Sequence, residues 1–138
     1  MTEYRGLVAS GIAAKPKRRQ SPEEDLHRIC FEWVTLLSSR YPILRWMAHY
    51  PAGGKRPRGE AGKLRALGTK PGVPDLMVFR PYRGWTGLAV ELKSATGTVS
   101  DNQQEWLSAL KEDGYLTAVC RSLDEFQAVV MKFLEGHS

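Results

Sequence analysis

Gly72-Val-Pro-Asp75-Leu-Met-Val-Phe79 and, beyond a turn over Pro81–Thr86, Gly87-Leu-Ala-Val-Glu91-Leu-Lys93 decide the fold of this chain. Both stretches have the aliphatic content of strands, Asp75–Phe79 and Gly87–Ser94, joined closely enough to lie side by side. Side chains alternate faces along a strand, so Val90 and Leu92 point one way and Glu91 and Lys93 the other. Asp75 at the mouth of the neighbouring strand then falls near Glu91. Two carboxylates beside one ammonium make a poor core. They make a good seat for a divalent cation next to a reacting phosphodiester.

Outward from that pair, the chain is one domain in length, with 138 residues of which 42% are hydrophobic, enough for a single core. It has no apolar run of membrane-spanning length and no signal-peptide-like start, so a soluble, cytoplasmic protein with no membrane partner is expected. Cys30 and Cys120 form no CxxC pair, and there are three histidines; a zinc site has too few candidate ligands. Cys30 lies on the apolar stripe of a helix and fits a buried thiol.

The net charge of +5 is uneven. Residues 1–20 carry a net +4 and residues 52–74 a net +5, whereas residues 21–51 and 75–138 are net −1 and −3. Basic segments of this kind attract polyanions, and phosphate contacts give affinity without sequence reading. A basic tail can also serve solubility alone. The 52–74 run differs because it leads directly into the carboxylate pair.

Residues 1–20, with Lys15-Pro-Lys-Arg-Arg19, have the composition of a flexible tail, and residues 21–138 form the folded domain. Ser21, Pro22 and Glu24 predict a helix start with a capping box. Leu26, Ile29, Cys30, Trp33 and Leu37 continue it at helical spacing up to Tyr41-Pro42. Ile43–Tyr50 is expected as a strand. Residues 51–74 are rich in Gly and Pro and form a long loop, with room for a short helix over Glu60–Leu67. Ser100 opens another helix with Leu107 and Leu110 inward. Tyr115–Cys120 is a strand, and a capping box at Ser122 and Glu125 opens a last helix through Glu135. Trp33, Trp46, Trp85 and Trp106 suit a core or an interface rather than base-stacking platforms, with Trp85 set apart by its place on an exposed turn.

This order, with Asp75, Glu91 and Lys93 at these points, resembles the PD-(D/E)xK nuclease superfamily: an α/β, restriction-endonuclease-like αβββαβ core, with a mixed sheet flanked by helices. The chain is more closely similar to the VRR-Nuc (virus-type replication-repair nuclease) family, whose small stand-alone members occur largely in phages. The similarity rests on Ser21-Pro-Glu-Glu-Asp-Leu-His27, His49-Tyr-Pro-Ala-Gly-Gly-Lys-Arg56, Pro71–Asp75, Gly87–Lys93, Ser100-Asp-Asn-Gln103 and Trp106–Tyr115, all in order. It departs at His27 and Ala52, where the family commonly has Gln and Asn, both outside the metal-binding core.

The resemblance implies a Mg²⁺- or Mn²⁺-dependent DNA endonuclease, structure-selective in the manner of Holliday-junction resolvases. It also implies a homodimer, working in a bacterial host cytoplasm if phage-encoded. Asp75 and Glu91 would hold the metal, helped by the backbone carbonyl of Leu92. Lys93 would orient or deprotonate the attacking water, or stabilise charge on the phosphate. An upstream helix acid aligns with Glu23, four residues before His27, although Glu24 competes. Gln103 fits both a capping box with Ser100 and the family motif. His49 is expected near the site as a strand-end residue. Lys55, Arg56, Arg58, Lys63 and Lys70 are candidates for holding the DNA backbone. The alternatives are a flap, nick or duplex nuclease of the same fold, and a non-catalytic nucleic-acid-binding module, which would not need Asp75, Glu91 and Lys93 together.

Overall fold

The Ser21 hydroxyl accepts the Glu24 N–H at 3.1 Å and starts helix α1, Pro22–Leu37, with Pro22 in the first turn. That turn needs no backbone donor from Pro22. The computed structural model describes residues 21–51 and 59–138. The basic tail 1–20 and Lys55, Arg56 and Arg58 of the basic loop lie outside the described residues. The first helix closes at Leu37, short of Tyr41-Pro42.

The strand expected over Ile43–Tyr50 is only half a strand. Pro42–Trp46 is a 3-10 turn, and β1 is the three residues Met47–His49. Pro42 stands in the first turn of that 3-10 element, where its fixed φ suits helical winding. The aliphatic composition of Ile43–Trp46 carries no information against this. Helix α2 follows at Glu60–Ala66 and buries no residue. Then come β2 (Leu76–Val78), β3 (Gly87–Leu92), helix α3 (Asp101–Glu112), β4 (Tyr115–Cys120) and helix α4 (Leu123–Glu135).

The four strands form one mixed sheet in the order β1-β2-β3-β4. β1 with β2 and β2 with β3 are antiparallel, whereas β3 and β4 are parallel across α3. The parallel step requires the helical crossover. Register follows Leu76↔Val90 and Leu88↔Leu116. One face carries Leu76, Val78, Leu88, Val90, Leu92 and Cys120, all buried together with Cys30, Trp33 and Val34 of α1 and Phe126, Val130 and Phe133 of α4. All six residues of β3 are buried, as befits a central strand covered on both sides.

Three local expectations change. Trp85 is 9% exposed rather than open on its turn, because its ring stacks on His137 at 4.1 Å. Among the tryptophans it is Trp46, at 57% exposure, that faces solvent. At the start of α4 the Ser122 hydroxyl caps the Glu125 N–H, but the Glu125 carboxylate takes the Arg121 N–H at 2.7 Å, one residue upstream of the capping-box position. Leu107 and Leu110 of α3, expected inward, are only half-buried.

Candidate active site

The register that pairs Leu76 with Val90 sets Asp75 opposite Glu91, on the face away from the aliphatic core. One glycine-dependent contact brings this turn into place. Gly72 has φ +88°, and a Cβ there would lie 2.6 Å from the backbone of Asn102. The Gly72–Asp75 turn therefore packs directly on the first turn of α3, at a distance that only glycine permits. Asp75 is then fixed by its own atoms. One carboxylate oxygen, Oδ2, accepts the Leu92 N–H at 2.8 Å. Its carbonyl accepts the Tyr50 N–H at 2.9 Å and the Nδ1–H of His49 at 3.0 Å.

Glu91 is 2% exposed. Its Oε2 accepts the Gln103 side-chain N–H at 2.8 Å, and the Lys93 ammonium lies 3.5 Å away. Its Oε1 is buried with no hydrogen-bond partner among the described residues. Burial raises the Glu91 pKa from the ordinary carboxylate range to about 8; nearby Asp75 pushes the same way, and Lys93 opposes both. A carboxylate in this position is in want of positive charge.

The Gln103 side chain joins the helix cap to the acidic pair. Its side-chain carbonyl accepts the Ser100 N–H at 2.9 Å and its backbone N–H donates to the Ser100 hydroxyl at 3.2 Å, a complete capping box. The NH₂ end of the same amide is the donor to Glu91. The first turn of α3 and the orientation of Glu91 thus depend on one side chain.

The third acid comes from α1. Glu23, Asp75 and Glu91 each offer an oxygen within 4.8 Å of the other two. Glu24, one residue on, is exposed and lines the adjoining groove without joining this cluster. The donor set is all carboxylate, the hard-oxygen chemistry suited to Mg²⁺ or Mn²⁺, and the unpartnered Glu91 Oε1 leaves a place for a further bond. These residues fit a divalent cation. The Leu92 side chain is buried in the aliphatic core, so only its backbone reaches the acidic side. Lys63, on α2, and Lys70 are exposed, and the Lys70 N–H donates to the Tyr50 hydroxyl at 3.1 Å.

Two features near the site carry no clear signal in the sequence. A groove of about 740 Å³ runs from Asp75 and Glu23 along α1, lined by His27, Arg28, Phe31 and His49. His27 and His49 meet edge to face at 4.3 Å. The pKa of His27 is lowered, first by burial and then by His49, against an opposing pull from Asp75. Second, the Arg121 guanidinium donates to the carbonyls of Ser94 at 2.8 Å and Gly97 at 2.6 Å. It ties down the loop between Lys93 and the cap of α3 from 24 to 27 residues away in sequence.

A mixed sheet between helices, with three carboxylates gathered at its antiparallel strands, defines an α/β domain of nuclease type. Residues 22–124 match the VRR-NUC domain, and the chain belongs to that family. A solved structure of a VRR_NUC domain protein superposes over 86% of this chain and 92% of its own, with a TM-score of 0.65 and 22% identity, a likeness of fold. No curated protein matches the sequence. No helix among the described residues is long and apolar enough to cross a membrane.

Proposed function

We propose that the protein is a divalent-metal-dependent DNA endonuclease, selective for branched DNA and acting as a homodimer. One observation carries this most strongly: Glu23, Asp75 and Glu91 converge from three separate elements beside Lys93, with one buried Glu91 oxygen unpartnered. A Mg²⁺ or Mn²⁺ ion bound there would act as a Lewis acid toward the phosphodiester and offset charge in the transition state. Asp75, Glu91 and Glu23 would hold it, with the Leu92 carbonyl as a further oxygen.

The protein's own part is positioning and charge. The Leu92 N–H holds the Asp75 carboxylate at a fixed angle, and the Gln103 amide does the same for Glu91. Such supporting donors typically matter ten- to a hundredfold at metal sites. Lys93, near enough to Glu91 to share a water with it, orients or deprotonates the attacking water, or meets the negative charge on the phosphate oxygens. Lys55, Arg56, Arg58, Lys63 and Lys70 hold the DNA backbone. One acidic cluster cuts one strand, so two copies related by a twofold axis would provide the paired incisions that a four-way junction requires. The apolar face of α4 does not supply that dimer contact, since Phe126, Val130, Phe133 and Leu134 are all buried within the protomer.

Labelled junction, flap, nicked and blunt duplex DNAs, each with Mg²⁺, Mn²⁺ or chelator, test this directly. Paired cuts in the junction that need metal are the expected result. Cleavage of the flap or duplex in preference would replace the junction specificity, and binding without metal-dependent cleavage of any DNA would leave only a binding module. Sedimentation at micromolar protein is expected to give the dimer mass; a monomer fully active on junctions would end the two-site scheme.

A further inference from the structure

Beyond the acidic cluster, the β1–β2 hairpin carries a second surface with the chemistry of a nucleic-acid contact. One register step past Met47↔Val78, Trp46 stands opposite Phe79. These two are the most exposed aromatic side chains among the described residues, at 57% and 61%. Two exposed arginines flank them, Arg45 beside Trp46 and Arg80 beside Phe79. The Arg80 guanidinium lies 4.8 Å from the centroid of the Trp46 ring, within cation–π range. Large aromatic rings in solvent bring no folding gain at this place, since the aliphatic core lies on the other face of β2.

Along the chain on either side of these rings the charge has one sign. The sequence has no acidic residue from 33 to 59 and none from 76 to 90. By strand alternation Phe79 stands on the same side of β2 as Asp75, four residues on, or about 13 Å at strand spacing. A duplex strand advances about 3.4 Å per nucleotide along its axis, so the rings stand about four nucleotides from the acidic cluster. Helix α3 packs on β3 and β4, toward the opposite edge of the sheet from β1 and these rings.

We infer that Trp46 and Phe79, with Arg45 and Arg80, form a stacking platform for unpaired bases of the DNA strand that leads into the acidic cluster. This rests on the nuclease assignment and extends it from the reacting phosphate to the bases beyond. Aromatic rings interleaved with arginines are how proteins hold single-stranded nucleic acid without reading its sequence: bases stack on the rings while the guanidinium groups meet phosphate. A second copy of the chain is the poorer occupant. A twofold contact centred here would set Arg45 and Arg80 against the same arginines of the other copy.

The test is binding, measured in the Asp75→Ala background so that no cleavage is required. The probes are a fluorescein-labelled duplex with a single-stranded extension and a blunt duplex of the same sequence. Trp46→Ala combined with Phe79→Ala is expected to weaken binding of the extended probe by roughly tenfold and that of the blunt duplex by less than about twofold. Trp46→Phe, which keeps a ring, should restore most of the difference. Because both rings are largely exposed, the melting temperature serves as the check on folding. Equal losses on both probes would overturn stacking in favour of general backbone contact. Unchanged affinity would overturn the platform outright, and a simultaneous change from dimer to monomer mass would reassign the patch to self-association. If the wild-type protein binds and cuts DNA while the double variant binds like its parent, only the platform fails; if wild type neither binds nor cuts any DNA, the nuclease assignment fails with it.

Discussion

The two faces of β3 differ more than any two regions of this molecule, although they alternate residue by residue. Leu88, Val90 and Leu92 are fully buried against α1 and α4. Ala89 and Glu91 face the other way, where the burial is as complete but Glu91 sits with Asp75 nearby and an oxygen unpartnered. Apolar burial stabilises the first face at roughly 25 cal/mol per Å². The second opposes folding, since a buried carboxylate without full compensation is costly. One strand therefore carries both a fully buried stabilising face and a carboxylate that opposes folding, separated by a single residue.

The sharpest break in this comparison is on the acidic face. Asp75→Ala or Glu91→Ala is expected to lower cleavage by a thousandfold or more, on the order of 4 kcal/mol, while DNA binding stays nearly normal. Cleavage assays at saturating Mg²⁺ check it; near-normal turnover would remove the site. Glu91→Gln should be equally inactive yet melt higher than wild type without metal. The reason is one of sign. A carboxyl whose pKa is raised on folding favours the folded state below its unfolded value near 4.5 and loses that advantage as pH rises toward about 8. The stability gap between Glu91→Gln and wild type should thus widen over that interval, and Mn²⁺ should narrow it by binding wild type alone.

On the aliphatic face the effect is of comparable size but a different kind. Leu88→Ala is expected to destabilise by about 2–5 kcal/mol in urea unfolding, with turnover per folded molecule little altered in the cold. If cleavage falls in step with the acidic-face variants, the two faces are not separable. Smaller still, Gln103→Glu keeps the cap acceptor for Ser100 but loses the donor to Glu91. Cleavage should drop roughly ten- to a hundredfold, and the melting temperature should fall at neutral pH and recover in acid, because the new carboxylate lies against buried Glu91; unchanged cleavage would show that the cap is all Gln103 does. The smallest change should come from the basic loop. Neutralising Lys55, Arg56 and Arg58 together should flatten the salt dependence of binding by about two to three units of slope, at about 0.9 per lost phosphate contact. An unchanged slope would place the backbone contacts elsewhere.

The acidic face was largely legible because strand alternation and the Asp75-to-Lys93 spacing are local. So were the helix starts at Ser21, Ser100 and Ser122, whose caps lie within three or four residues. The 3-10 turn at Pro42–Trp46 was not, because composition alone does not separate a short helical turn from a strand when both bury Leu44. The burial of Trp85 depends on His137, a partner distant along the chain, and the exposure of Trp46 on which face of the sheet the core covers. The Arg121 clamp on Ser94 and Gly97 was invisible for the same reason. The choice between Glu23 and Glu24 depends on which way one helical turn faces, which pairwise spacing constrains but tertiary packing decides.

The Gln103 amide also sets a clock. Because one side chain closes the first turn of α3 and holds Glu91, fraying of that turn and loss of the carboxylate's orientation are a single event. Helix ends open far more often than strand centres, so the site inherits the opening frequency of a helix terminus although Glu91 itself lies in the most buried strand. The hydrogen-exchange rates of the Ser100 and Gln103 amides therefore report how long the carboxylate stays aligned between openings.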